Sequence, residues 1–321
     1  MIPRFVALLT ALLAALPSAA QDYPSRPVRI VVPYGAGVAP DVIARIAGEQ
    51  LAQRLGQPFV IENRVGAGGK IGTEVVAKSP ADGYILLLGS KDTHGVLVHL
   101  YPGWSVDPIR DFAPISMLIR IQNVLVAHPA FPASAPKDLA AASAAMPKGV
   151  TYASPGVGTN LHLFGAMLGQ QLGLNLVHVP YKNFGEAFPA GMRGDVNLIV
   201  SGVPPAARFV ADGRLKAIAV TGTSRSPFLP NVPTFAEAGI PGHETGGWFG
   251  LLAPAGTPPA IVQRLSDAMA EMGRSAEYRD RVKKMFSEPA TNTPAEFAAV
   301  IAAETARWGD VVRKSGVKLQ D

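Results

Sequence analysis

The sequence predicts an α/β protein in which strands alternate with helices and form sheets covered by those helices. Short apolar runs alternate along the chain with longer segments of helical periodicity. The 33 Gly and 29 Pro are spread along the chain, which indicates many tight turns rather than low complexity. Because strands that alternate with helices usually pair in the same direction, we expect largely parallel sheets. A length of 321 residues favours two domains.

The first twenty residues have the features of a secretory signal peptide. Arg4 gives a positively charged start, residues 5–16 are mostly apolar, and Ser18 and Ala20 precede an expected cut before Gln21. A membrane anchor is the alternative, but the apolar run is too short to span a bilayer and is followed by Pro17. We therefore expect residues 1–20 to be removed and the rest of the chain to be exported.

Each element rests on a local pattern. Runs rich in Val, Ile and Leu predict the strands, which we place at 28–32, 59–63, 84–88, 123–127, 150–153, 176–179, 196–200, 215–221 and 249–253. Helical periodicity predicts the helices, which we place at 41–55, 71–77, 136–145, 160–172, 258–272 and 294–315. Pro40 and Asp41 suit the start of the first helix, and the glycines at 66–69 suit a turn before the second.

Composition excludes several classes of function. The chain has no cysteine, which excludes disulfides, thiolate catalysis and cysteine-ligated zinc. The net charge is only +5, and no dense Lys/Arg cluster is interleaved with aromatic residues, so nucleic-acid binding is not expected. A mildly basic exported protein is compatible with a small anionic ligand.

Three loops rich in Gly, Ser, Thr or Asp follow predicted strands, at 34–41, 89–94 and 154–162. In α/β sheets, ligands bind beyond the carboxyl ends of strands. If two α/β lobes face each other through these loops, they form a cleft of the kind that often binds ligands.

The segment at 154–163 lies where a strand passes into a helix. At such a junction several backbone N–H groups lack partners within the helix, and the helix dipole adds a partial positive charge. The segment therefore predicts a pocket for an anion, most simply a carboxylate. The alternative is an ordinary turn in which Thr159 or Asn160 caps the helix.

Catalytic interpretations find little support. The six histidines show no metal-ligand spacing, and the acidic residues do not cluster as metal ligands. The surroundings of Ser154 are not a G-x-S-x-G elbow, and the glycine loops lack complete dinucleotide or phosphate-binding motifs. A hydrolase that uses Ser154 and His162 remains an alternative, although no residue nearby in the sequence orients such a pair.

Two further places favour binding. Asp41 follows the first glycine loop, where it either assists the backbone N–H groups of residues 35–37 in binding a carboxylate or simply caps its helix. Tyr181 and Lys182 end a later strand and offer a phenol and a cation, although a surface loop explains them equally well.

Ordered sequence blocks over residues 22–317 resemble one family. They are the segments 23–34, 55–58, 62–64, 66–69, 82–84, 111–115, 154–163, 178–182, 233–239 and 254–258. These blocks resemble the Bug-type periplasmic solute-binding proteins, the binding components of tripartite tricarboxylate transporters.

The resemblance implies a two-lobed, Venus-flytrap (type II-like) binding protein with a largely parallel sheet in each lobe. Lobe 1 would consist of residues 21–122 and 248–321, and lobe 2 of residues 123–247. Members bind small dicarboxylates, tricarboxylates, aromatic acids and some amino acids or amides in the periplasm, without a metal or cofactor. Closure over the ligand presents a surface to a membrane permease. The alternative partner is a membrane receptor that senses the ligand. A monomer without enzymatic activity is expected.

The resemblance also implies the ligand contacts. Lobe 1 would contribute the first loop, Asp41 and Ser90, and lobe 2 would complete the pocket. The full set of implied ligand-binding residues is Tyr34, Gly35, Ala36, Gly37, Asp41, Ser90, Ser154, Gly158, Thr159, His162, Tyr181 and Ser201.

The chain departs from the family pattern at several of its loops. Val38 replaces a glycine of the first loop, which narrows or reshapes its rim. Asn183 stands where a glycine is usual, and Ser201 stands where an aspartate is common, which argues against an amino-acid ligand. Lys91 and Asp92 are also unusual. We expect these departures to determine which acid is bound.

Overall fold

The computed structural model describes residues 23–243 and 246–317. The predicted signal peptide lies outside these residues. The α/β fold class is confirmed, since two separate sheets are each flanked by helices. The extent of each lobe along the chain stays a prediction.

Most elements lie close to where the sequence predicts them. The strands are β1 (Val28–Val32), β2 (Phe59–Asn63), β3 (Ile85–Ser90), β4 (Phe112–Ile121), β5 (Asn123–Ala127), β6 (Val150–Ser154), β7 (Leu176–Pro180), β8 (Leu198–Gly202), β9 (Lys216–Val220), β10 (Gly247–Pro254) and β11 (Glu288–Pro289). The helices are α1 (Ala39–Leu55), α2 (Lys70–Ala77), α3 (Leu97–Leu100), α4 (Leu139–Ala144), α5 (Asn160–Leu172), α6 (Phe184–Arg193), α7 (Val203–Ala211), α8 (Pro259–Arg274), α9 (Ala276–Lys284) and α10 (Pro294–Ser315).

Several elements were not predicted. They are β4, β11, α3, α6, α7 and α9, together with a π-helical turn at Asp92–Val96. Helix α6 contains Pro189 and α7 contains two prolines in its first turn, which obscure the helical pattern. Within the described part of the chain, none of the helices combines the length and apolar character that a bilayer span needs.

The strands form one six-stranded and one five-stranded sheet. The first sheet has the order β11-β4-β10-β3-β1-β2, and the second has the order β7-β6-β8-β5-β9. The chain passes from the first to the second at Gln122, between β4 and β5, and returns between β9 and β10.

Most strands of each sheet run in one direction, as expected, and both sheets are mixed because they also contain antiparallel strands. Strand β1 is parallel to β2 and β3, and β6 is parallel to β7 and β8. Strand β10 is antiparallel to β3 and β4, and β5 is antiparallel to β8 and β9. Strands β5 and β10 each enter their sheet directly from a crossing. Each therefore starts at the edge where the strands of the βα units end, and it must run in the opposite direction. The two-residue strand β11 is also antiparallel to its neighbour β4.

Helices cover both faces of each sheet because successive strand residues point to opposite sides. In β1, Ile30 packs with residues of α1, α8 and α9, whereas Val31 packs with residues of α2 and α10. In β5, Leu125 faces α5 and Val126 faces α6 and α7. Burial of these apolar side chains, each contributing about 1.5–3 kcal/mol, provides the main stabilisation of both three-layer units.

Two further contacts join the sheets. Helix α10 packs against α5 through a cluster that includes Trp308, Val312 and Leu163. At the return crossing, Gly246 passes so close to the outgoing chain that a Cβ on it would lie 2.0 Å from the Ile121 carbonyl oxygen. A glycine is therefore required at this point.

Candidate ligand-binding cleft

A cleft of about 880 Å³ lies between the two sheets. The first sheet contributes the loops that follow β1, β2 and β3, together with the start of β10. The second contributes the loops that follow β6, β7 and β8. This is the edge of an α/β sheet at which ligands bind, and the volume lies in the usual range of ligand pockets, roughly 300–1,000 Å³.

The first loop joins the end of β3 through a hydroxyl pair. The Tyr34 hydroxyl lies 2.6 Å from Ser90 Oγ, and the Tyr34 ring packs edge-on against Phe249. Burial raises the pKa of the Tyr34 phenol far above its ordinary value, and the nearby Asp92 carboxylate adds to this shift. Tyr34 is therefore a neutral hydrogen-bonding group in the cleft wall.

Asp41 supports this loop from outside the cleft lining. Its carboxylate accepts hydrogen bonds from the Gly37 amide at 2.9 Å and from Asn63 Nδ2 at 2.9 Å, and it pairs with Arg45. Burial alone would raise the pKa of Asp41, but the bonds from Arg45, Gly37 and Asn63 outweigh it and lower the pKa to about 2. Asp41 does not cap its helix, which begins earlier, at Ala39, with Pro40 in its first turn.

The second loop follows β6, and its helix cap is Thr159. The Thr159 hydroxyl accepts a hydrogen bond from the His162 amide at 3.2 Å and donates to the Gly156 carbonyl at 2.9 Å. The Gly158 amide donates to His162 Nδ1 at 3.1 Å. Gly156 and Gly158 have φ of +133° and +79°, a region that favours glycine. The structure therefore shows the alternative predicted from the sequence, a turn in which Thr159 caps the helix.

Three side chains on neighbouring strands and the helix brace the second loop. Ser154 Oγ lies 2.8 Å from His178 Nε2, and the His178 ring stacks on His162 with 3.8 Å between ring centroids. Burial lowers the pKa of both histidines to about 4, and each histidine therefore holds its loop as a neutral ring. Ser154 contacts His178 rather than His162, and it is fully buried outside the cleft lining.

The start of α5 already holds a carboxylate from the protein itself. Asp92, in the π-helical turn after β3, accepts hydrogen bonds from the Asn160 amide at 2.8 Å and from Asn160 Nδ2 at 2.9 Å. The predicted anion pocket at this helix start is therefore occupied by Asp92. Burial nevertheless raises the pKa of Asp92, and the bonds from Asn160 oppose that shift.

The neighbouring Lys91 forms a buried ion pair with helix α10. Its ammonium lies 3.2 Å from Glu304 Oε2 of α10, and both side chains are buried. Burial lowers the pKa of Lys91, whereas the Glu304 carboxylate raises it. We expected Lys91 to help choose the acid, but the ion pair with Glu304 engages its charge.

The structure brings five of the predicted site residues together at the cleft surface: Tyr34, Gly35, Ser90, Gly158 and Thr159. Seven lie outside the lining: Ala36, Gly37, Asp41, Ser154, His162, Tyr181 and Ser201. Several of these seven hold the lining residues in place, as described above. The predicted ligand contacts themselves stay predictions.

Two strand ends differ by one residue from the expected positions. The Tyr181 amide donates to the Ser154 carbonyl at 3.0 Å, and it is Lys182 that lines the cleft. Ser201 is buried and its hydroxyl donates to the Gly202 carbonyl, and it is Gly202 that lines the cleft. Asn183, also in the lining, caps α6 by accepting from the Glu186 amide, which explains its departure from the usual glycine.

Sequence reasoning missed the role of His178, the contact of Asp92 with the start of α5, and the start of β10. His178 lies opposite Tyr152 in the register of β7 and β6, so correct alignment of these two parallel strands would have placed it on the same face of the sheet as Ser154. Trp248 and Phe249 line the cleft because β10 starts there. Nothing in the local sequence indicates the direction of β10.

Known proteins share this fold and sequence. Residues 43–317 match the model of the "Tripartite tricarboxylate transporter family receptor". Protein BugT of Bordetella pertussis is 35% identical over 307 residues, which cover 95% of this chain and 94% of BugT.

Two solved structures from Rhodopseudomonas palustris are also similar. One, determined with adipate, is 33% identical with a TM-score of 0.83 and covers 92% of this chain and 99% of its own. The other, MatC with bound malate, is 32% identical with a TM-score of 0.79 and covers 90% of this chain and all of its own. With its two sheets, the cleft between them and a family match over most of its length, the chain belongs to the tripartite tricarboxylate transporter receptor family of periplasmic solute-binding proteins.

Proposed function

We propose that this protein captures a small organic carboxylate in the periplasm and delivers it to a tripartite tricarboxylate-type permease. The observation that carries the proposal is the cleft of about 880 Å³, which brings the strand-end loops of both sheets around one space. Support also comes from the relatives whose structures contain adipate and malate. The signal-like residues 1–20 support export.

The ligand carboxylate is proposed to meet Lys182 and the hydroxyl and amide groups of the opposite wall. Lys182 is exposed at the end of β7 and lines the cleft. Tyr34, Ser90 and Thr159 add hydroxyl groups to the same lining. A carboxylate that accepts charge-assisted hydrogen bonds from such groups gains more than it would from neutral donors.

The proposed cycle includes closure of two lobes over the ligand. We take lobe 1 as residues 21–122 and 248–321 and lobe 2 as residues 123–247. This division is supported by the strand order of the two sheets, whose strands come from these segments except for the first residue of β10, Gly247. The closed form would present the surface that the membrane partner recognises.

The binding test is calorimetry on the full mature chain with a panel of organic acids, after a thermal-shift screen. A bound acid should stabilise the native state by about 2.7 kcal/mol at one hundred times its Kd. Lys182→Gln should weaken binding about tenfold, because a charge-assisted bond is lost. The control Lys148→Gln removes an exposed lysine at the opposite end of β6 and should leave the affinity unchanged. A folded protein that binds none of the acids would contradict the proposal.

The membrane partner is tested separately. Reconstituted permease should transport the bound acid only when this protein is present. The protein could instead bind and activate a membrane receptor and support no transport. Its function would then be ligand sensing rather than delivery to a permease, and the proposed carboxylate site would be unaffected.

An enzyme would need an accessible nucleophile. Ser154 has a histidine neighbour, His178, but the Ser154 hydroxyl is buried. This hydroxyl is already hydrogen-bonded to His178 and to the backbone of Gly156. We therefore propose that these groups brace the loop rather than react. Ester turnover that Ser154→Ala abolishes would contradict this view.

A further inference from the structure

Few charges line the cleft. Among the lining residues that the structure describes, the charged side chains are those of Lys91, Asp92 and Lys182. Lys91 pairs with the buried Glu304, and Asp92 is bound to Asn160. Lys182 is exposed and makes no salt bridge with another described residue. The cleft thus offers one ammonium to balance the charge of a ligand.

The helix start that would suit a second carboxylate is taken. Asp92 uses the first amide of α5 and the Asn160 side chain, and Thr159 uses the amide of His162. A ligand carboxylate that approached this point would meet the Asp92 carboxylate. Moving the ligand carboxylate out of water to a place beside the Asp92 carboxylate, with no cation to pair with it, is strongly unfavourable.

The mouth of the cleft is apolar on both sides. Val38 and Val65 of the first sheet's loops and Val157 of the second loop line the cleft with 46%, 58% and 46% of their surface exposed. We name these three residues the apolar rim. Deeper in the cleft lie further apolar side chains, among them Leu97, Leu100 and Phe184. Solvent-exposed valines that face one space are buried when an apolar group fills that space, and such burial is favourable.

Resting on the proposed function, we infer that the ligand is a monocarboxylate with an apolar body, an acyl chain or an aromatic ring, and that Asp92 excludes a second carboxylate. The single carboxylate meets Lys182, and the body packs against the apolar rim. Asp92 then acts as a specificity-determining residue, because its charge fills the helix start that a dicarboxylate would need.

The first experiment compares hexanoate with adipate by calorimetry on the full mature chain. The two acids share a six-carbon backbone and differ only in a methyl or a carboxylate at the far end. We expect hexanoate to bind at least about tenfold more tightly than adipate, because the second carboxylate has no cation and faces Asp92. A smaller ratio, or a preference for adipate, would overturn the inference.

The second experiment uses Asp92→Asn. The amide keeps a carbonyl oxygen for the Asn160 donors but removes the negative charge. We expect adipate to gain at least about tenfold in affinity while hexanoate changes less than about threefold. A parallel gain or loss for both acids would mean that Asp92 acts on the fold rather than on ligand choice, and would overturn its assigned role.

The third experiment tests the apolar rim and does not depend on Asp92. Val38→Thr and Val157→Thr keep the shape of the side chain but add a hydroxyl. Each should weaken hexanoate binding about three- to tenfold. Val60→Thr is the matched control, since Val60 is 49% exposed on β2 and lies outside the cleft lining. Equal effects of the rim and control variants would overturn the assigned role of the rim.

The outcomes separate this inference from the proposed function. If neither hexanoate, adipate nor any acid of the wider panel binds, the proposed function itself fails. If acids bind but dicarboxylates are preferred, the carboxylate site stands and only the choice of a monocarboxylate fails.

Discussion

The loops that follow β1 and β6 occupy the same place in the two sheets but are held by different chemistry. Val38 and Thr159 precede their helices with nearly the same backbone, at φ −81°, ψ 162° and φ −71°, ψ 154°. The first loop depends on the Asp41 carboxylate. The second depends on a hydroxyl cap and on neutral imidazole rings.

This difference shows that the same backbone geometry can be held by groups that become protonated at different pH values. The carboxylate of Asp41 stays ionised down to about pH 2, so its bonds survive mild acid. The ring of His162 accepts the Gly158 amide through Nδ1, which is possible only while that nitrogen carries no proton. Mild acid therefore acts on the second wall of the cleft before it acts on the first.

The largest expected effect is on the first loop. Asp41→Ala removes the buried acceptor for Gly37, Asn63 and Arg45. We expect a loss of about 3 kcal/mol in the free energy of unfolding, measured with urea, because each hydrogen bond to a charged group contributes about 1.5–3 kcal/mol.

Arg45→Ala is the matched comparison for Asp41→Ala. The Arg45 side chain is 53% exposed, so its loss should cost less than about 1 kcal/mol. If both variants lose the same stability, the loop depends on the ion pair itself and not on the bonds of the carboxylate to Gly37 and Asn63.

The next effect concerns acid. Burial lowers the pKa of His162 from 6.5 to about 4, so the unfolded chain binds more protons than the folded chain between these values. The free energy of unfolding should therefore fall as the pH falls from about 6.5 to 4, by about 2 kcal/mol from this ring. His162→Gln should reduce the slope in that window, as measured by urea unfolding at a series of pH values.

Part of the slope should remain in His162→Gln. His178 and His94 also have pKa values lowered by burial, to about 4 and about 3, so both add to the slope with the same sign. A variant whose stability changes with pH as steeply as that of the wild type would show that His162 does not carry the acid response.

The smallest effects come from exchanging the two cap residues. Thr159→Val removes the bond to the His162 amide and should cost about 1 kcal/mol in the free energy of unfolding. Val38→Thr supplies an acceptor on the same backbone geometry and should gain about 0.5 kcal/mol. Thermal and urea unfolding measure both. Effects of the same sign would show that the two caps are not equivalent.

Much of the fold follows from local patterns in the sequence. The bounds predicted for β1, β2, β5, α5 and α10 match the observed ones, because apolar strand runs and amphipathic helices carry strong local signals. Helices α6 and α7 were missed because their prolines weaken those signals. The antiparallel placement of β5 and β10 depends on how the chain crosses between sheets, which no local pattern records.

The site was predictable to the level of loops but less so to the level of side chains. The loops at 34–38 and 154–159 do face one cleft, because strand ends meet at one edge of a sheet. The partners of Ser154 and Asn160 come from positions 178 and 92, distant in sequence. Since hydrogen bonds across such separations depend on tertiary packing, the sequence alone could not assign them.

The close passage of Gly246 against Ile121 constrains how the protein can deform. Gly247 pairs with Ile121 in the antiparallel ladder of β10 and β4, so the two crossing segments form a two-stranded ribbon. A ribbon of this kind can twist at little cost, but sliding one segment along the other would break the ladder and press backbone against backbone. We therefore expect any motion of one sheet relative to the other to be a rotation about this ribbon rather than a sliding along it.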